Sequence, residues 1–117
     1  MEVEFESAKD EQVFKDDKKL VQEYGCEMGK RIRRRLDDLV AAPHLADMYT
    51  LFGGRIHQHS ETKPERWSLD LVHPYRLLFK PTEPVPRLSD GGVDRTRVTA
   101  VTIIGIQDPH GNNKKRI

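Results

Sequence analysis

Arg66-Trp67-Ser68-Leu69-Asp70-Leu71-Val72-His73-Pro74-Tyr75-Arg76-Leu77-Leu78-Phe79-Lys80 is the stretch that decides the class of fold. From Arg66 to Leu71 polar and apolar residues alternate, which puts Trp67, Leu69 and Leu71 on one side, the period of a half-buried strand. His73-Pro74 interrupts the run, and Tyr75 to Lys80 resumes as a second strand. Upstream, Arg55-Ile56-His57-Gln58-His59 reads as a strand and the polar tract from Ser60 to Glu65 as a turn. Downstream, Pro81, Pro84 and Pro86 together with Gly91-Gly92 predict a long exposed loop reaching Thr96. Val98 to Gln107 is the most β-prone stretch and is expected to form a central strand.

The N-terminal half has a different period. After a short alternating strand at residues 2–6, with Val3 and Phe5 on one side, Ser7 and Asp10 resemble a capping box that opens a helix. Val13, Leu20 and Tyr24 line up along it, with Phe14 and Val21 beside them, and Gly25 suits a left-handed stop. A second helix is expected from about 26 to 42, with Met28, Ile32, Leu36, Leu39 and Val40 as its apolar stripe and Pro43 ending it. Leu45, Met48 and Tyr49 predict a helical turn before Gly53-Gly54. The expected architecture is α+β: an N-terminal strand and a helical hairpin packed on a small antiparallel sheet. One domain over residues 1–110 and a polar basic tail over 111–117 account for the chain.

Its 117 residues suffice for one compact domain with a modest core. Apolar stretches are a few residues long, far short of the roughly 20 that span a bilayer, so no membrane association is expected. The acidic N-terminus is unlike a basic leader, and a single cysteine, Cys26, permits neither an internal disulfide nor a cysteine-rich zinc site. A small intracellular domain is the expectation. The formal charge is +1, which predicts no strong general affinity for nucleic acid. The distribution is uneven, however: residues 1–23 carry eight acids against four lysines, and residues 24–117 carry sixteen basic against eleven acidic. Lys30, Arg31, Arg33, Arg34 and Arg35 form the sharpest cluster, either a solvated helix face or a contact surface for a polyanion or acidic partner.

Four of the five histidines, His57, His59, His73 and His110, fall in the β-rich half. On a strand His57 and His59 face the same side. If the strands are neighbours, Arg55, Arg76 and Asp108 converge with the imidazoles on one face. Histidine can serve as general acid or base near neutrality, and arginine can stabilise a developing phosphorane. That combination suits RNA cleavage in which a ribose 2′-hydroxyl attacks its own phosphate, with no cofactor. The alternatives are ordinary: surface histidines, His73 as a turn residue, Arg76 merely pairing with Asp70 or Glu83, or a metal site on His57 and His59 completed by Asp108, His110 or Glu61.

The segment from Trp67 to Phe79 resembles the RelE/ParE toxin superfamily, nearest its HigB branch, whose members carry an aromatic-Arg-hydrophobic-hydrophobic-Phe strand here. The opening strand, the basic helical hairpin, Gly54-Arg55-Ile56-His57, and a last strand running into Asp108-Pro109-His110 fall in the family order. The resemblance implies a RelE-like fold and a toxin of a type II toxin–antitoxin system that cuts mRNA on the ribosome by metal-free acid–base chemistry. It implies His57, Arg76, Asp108 and His110 as catalytic residues, with Arg76 stabilising the phosphate. Pro109 stands where the family has a tyrosine. Lys30, Arg31, Arg33, Arg34, Arg35 and Arg55 are the expected RNA- and ribosome-binding residues. The implied partners are the ribosome, mRNA and a helix-turn-helix, HigA-like antitoxin that alone contacts operator DNA, all in a bacterial cytoplasm. A catalytically degenerate or ParE-like member would keep the fold and the antitoxin contact and act through protein–protein contacts.

Overall fold

The computed structural model describes residues 1–51, 55–59 and 61–108. Strand β1 (Glu2–Phe5) leads into α1 (Ala8–Phe14), α2 (Asp17–Tyr24) and α3 (Cys26–Ala41), followed by a 3₁₀ turn (Leu45–Tyr49). Strands β2 (Ile56–His59), β3 (Arg66–Asp70), β4 (Arg76–Pro81) and β5 (Ala100–Gln107) complete an α+β domain. The sheet order is β1-β5-β4-β3-β2.

Where one helix is expected before Gly25, two are found. Ser7 caps α1 as the sequence implies, its hydroxyl accepting from the Asp10 amide at 3.2 Å. The break comes from Asp16, whose carboxylate accepts from the amides of Lys18 and Lys19 at 3.0 and 3.2 Å and so opens a new helix. Gly25 then takes φ +87°, a conformation that L side chains avoid, and turns the chain directly into α3. The apolar stripe of α3 is buried as expected at Met28, Ile32, Leu36 and Leu39, whereas Val40 is exposed. Across the hairpin a Cβ at Gly29 would lie 3.4 Å from the Leu20 backbone, so α2 and α3 approach closely there.

The sheet is mixed, not wholly antiparallel. β2, β3, β4 and β5 form antiparallel pairs, but β1 lies parallel to β5, with Val3 opposite Val101 and Phe5 opposite Ile103. Periodicity shows which side of a strand is buried and carries nothing about the direction of a partner about a hundred residues away. One face of the sheet, including Trp67, Leu69, Leu77, Phe79, Val101 and Ile103, packs with the helix stripe in a single core. The opposite face carries His57, Ser68, Asp70 and Arg76 by strand alternation.

The segment after β4 is more ordered than a plain exposed loop. Arg87 pairs with Val93 across a β-bridge closed by Leu88 N–H to Gly92 O at 2.7 Å. The Arg87 guanidinium donates to the buried Glu65 carboxylate at 2.8 Å, tying this hairpin to the turn before β3. Val93 and Val98 join the core. Among the described residues no helix is long and apolar enough to cross a membrane.

Candidate functional site

Beside the ends of β2, β3 and β4 lies an open cleft of about 550 Å³ lined by Arg55, His57, Asp70, His73, Tyr75 and Arg76, among others. The register explains the convergence. Asp70 is opposite Arg76 across β3 and β4, and His57 is opposite Ser68, two residues along from Asp70 and so on the same face. The turn between β3 and β4, closed by Tyr75 N–H to Val72 O at 2.9 Å, brings His73 and Tyr75 to the same cleft.

One carboxylate oxygen organises the cleft. Asp70 Oδ1 lies 3.2 Å from His57 Nε2 and 3.6 Å from Arg76 Nε. The His57 side chain keeps 41% of its surface exposed, so it is held from one side and open on the other. Arg55 and His73 are exposed at the rim. Two guanidinium groups and two imidazoles around a single carboxylate favour an anionic ligand, and the open imidazole can exchange a proton with it.

His59 shares the strand face with His57 but is engaged differently. Its Nε2 lies 2.9 Å from Ser68 Oγ and its Nδ1 3.8 Å from Glu61 Oε2. Burial is the main cause that lowers its pKa below the ordinary 6.5, offset in part by Glu61, so the neutral imidazole is favoured. Ser68 is fully buried beneath it, which places this hydroxyl out of reach of a substrate. Among the described residues no three His, Cys, Asp or Glu side chains are grouped to hold a metal ion.

The expected catalytic residues are distributed unequally. His57 and Arg76 meet in the cleft with Arg55. Asp108 is half-buried one residue past Gln107, the partner of Arg76 in β5, and is not among the lining residues. His110 and Pro109 lie outside the described residues. Of the other lining residues, Asp70 is expected only as an ordinary partner of Arg76, a pairing present at 3.6 Å, His73 only as a turn residue, and Tyr75 not at all. The spacing of Asp70 and Arg76 about the His73-Pro74 break carried the signal, because residues equidistant from a turn face each other in a hairpin.

The basic cluster of α3 is not one surface. Lys30 and Arg34 are exposed. Arg33 bonds Asp17 Oδ1 at 2.9 Å and donates to the Phe14 carbonyl, fastening α3 to the start of α2. Arg31 lies half-buried with Nη1 3.4 Å from the Leu71 carbonyl. Arg35 is only 8% exposed, and its Nε donates to the Asp70 carbonyl at 2.8 Å. Burial is the main cause that lowers the Arg35 pKa from its ordinary value, with Arg31 adding to the effect. The expectation of five contact cations is therefore corrected at Arg35, which braces the cleft from within.

The fold and the cleft define an α+β domain with a basic, histidine-bearing site at one end of a five-stranded mixed sheet. No family model, no curated protein and no solved structure matches the chain.

Proposed function

We propose that this chain is a HigB-like toxin of a type II toxin–antitoxin system, a ribosome-dependent endoribonuclease that cleaves mRNA by acid–base chemistry. The observation that carries the reading is the meeting of His57, Asp70 and Arg76 in one open cleft. The sequence resemblance to the RelE/ParE superfamily supplies the substrate and the setting: translated mRNA, a cognate helix-turn-helix antitoxin, and a bacterial cytoplasm.

In the proposed reaction His57 takes the proton of a ribose 2′-hydroxyl. The resulting oxyanion attacks the adjacent phosphorus, and the bond from phosphorus to the 5′-oxygen breaks. Arg76 stabilises the charge that grows on the phosphorane oxygens, and His110, oriented by Asp108, gives a proton to the leaving 5′-oxygen. The products are a 2′,3′-cyclic phosphate and a 5′-hydroxyl. Arg55 and His73, on the rim, suit the flanking phosphates.

Induction of the chain in a bacterial host, with mapping of mRNA 5′ ends in the presence and absence of translation, tests the reading. Growth arrest with cuts confined to translated mRNA is expected. Arg76→Ala is expected to fold and to lose about 2.7–4 kcal/mol of transition-state stabilisation, on the order of 10²–10³ in rate. Undiminished arrest by a folded Arg76→Ala protein overturns the assignment.

A further inference from the structure

We infer that Asp70 is the positioning residue that orients His57 and leaves Nδ1 as its reactive nitrogen. Asp70 is fixed on three sides: its amide donates to the Arg55 carbonyl at 3.1 Å, its carbonyl accepts from Arg35 Nε at 2.8 Å, and its carboxylate meets His57. It is also the one carboxylate among the described residues that line the cleft. An ionised carboxylate can only accept hydrogen bonds. The 3.2 Å contact to Nε2 therefore requires the proton on that nitrogen, whether the ring is neutral or charged. In the neutral ring Nδ1 then holds the free lone pair and is the atom that can take a proton from a ligand.

The same oxygen positions the arginine. Arg76 approaches Oδ1 through Nε at 3.6 Å, and so keeps its forked terminal nitrogens for an anion. Base and phosphate ligand are thus set relative to each other by one side chain, and the buried Arg35 holds the backbone carbonyl of that residue from the helix side. Among the described residues, Arg55, His73 and Tyr75 are the other titratable or charged groups lining the cleft, and none can accept from His57 as a carboxylate does. The catalytic part of this inference rests on the proposed reaction; the assignment of the imidazole proton does not.

The test uses the full-length protein labelled with ¹⁵N, without RNA. A long-range ¹H–¹⁵N spectrum of the wild type is expected to show His57 with a slowly exchanging Nε2 proton and a bare Nδ1. Asp70→Ala is expected to lose the slow exchange. Asp70→Asn, whose amide can donate as well as accept, is expected to shift the ring toward the Nδ1–H tautomer. Its backbone partners are unchanged, and the wild-type spectrum needs no variant at all. On programmed ribosomes Asp70→Asn is expected to slow cleavage at saturation on the order of 10²-fold, with half-saturation moving less than about twofold, and Asp70→Glu to restore part of the rate. A His57 ring that carries its proton on Nδ1, or exchanges equally fast in wild type and Asp70→Ala, overturns the inference. Wild-type cleavage rates in a folded Asp70→Asn protein overturn it as well. A wild-type protein that cuts no mRNA overturns the proposed activity instead, and the spectra then decide the role of Asp70 alone.

Discussion

Arg35 shows how far a residue's role can depart from its type. It sits in the densest run of positive charge in the chain, yet its side chain is turned into the protein to bond the Asp70 carbonyl. Replacing it with alanine removes that donor and the packing of its stem, leaving a backbone acceptor poorly satisfied. Arg35→Ala is expected to cost about 1–3 kcal/mol in urea denaturation. Arg34→Ala, one residue away on the exposed side, is expected to stay within about 0.5 kcal/mol. Equal costs for the two would remove Arg35 from its bracing role. Trp67 shows the opposite case, a residue whose burial follows from its type, with one polar atom that still needed a partner: the indole N–H donates to Tyr49 Oη at 2.8 Å.

At the scale of elements, α3 divides its cations between two tasks. Arg33 and Arg35 hold α3 to α2 and to the end of β3, whereas Lys30 and Arg34 face solvent. Reversing the whole cluster would confound folding with binding. The double variant Lys30→Glu, Arg34→Glu is expected to keep the wild-type melting behaviour and to sediment less with ribosomes. The loss is expected to be greatest at low salt, where screening is least. Sedimentation equal to wild type at every salt concentration would make those two charges a solvated face only. The run of basic residues was legible in the sequence; which of them were committed to internal carbonyls was not. A side chain at helical spacing can be placed on a face, but its partner from another element depends on how the helix is rolled against the sheet.

For the whole molecule, the pKa shifts of His59, Glu65 and Asp94 act on stability in the same direction. Burial, foremost, holds His59 below 6.5, so between that value and its lower folded one the unfolded chain binds more protons. Stability therefore falls as pH drops through this range. Glu65, lowered from 4.5 chiefly by its hydrogen bond from Arg87, and Asp94, lowered from 3.8 chiefly by its bond from Thr96, add a second fall at more acid pH. The stability of the wild type relative to His59→Gln is expected to be constant above about pH 7.5 and to decline as pH is lowered through 6.5. Urea midpoints measured for both proteins between pH 8 and 5 check this. A relative stability that rises toward pH 5 would show that burial does not govern His59.

The sequence by itself determined the α+β class, the strands around His73-Pro74, the helix from Cys26 to Ala41 and the buried stripes, because alternation and helical spacing are local consequences of which side must leave water. It also pointed to His57 and Arg76, whose residue types are suited to proton transfer and anion binding. Only the tertiary structure decided that β1 runs parallel to β5, that Asp16 starts a separate helix, that Asp70 joins His57 to Arg76, and that Arg35 points inward. Except at Asp16, where a side chain competes for local amides, and at Arg76, six residues from Asp70 across a hairpin turn, these are choices between partners distant in the chain. Strand direction, register and helix roll settle them, and each depends on the packing of all the elements together.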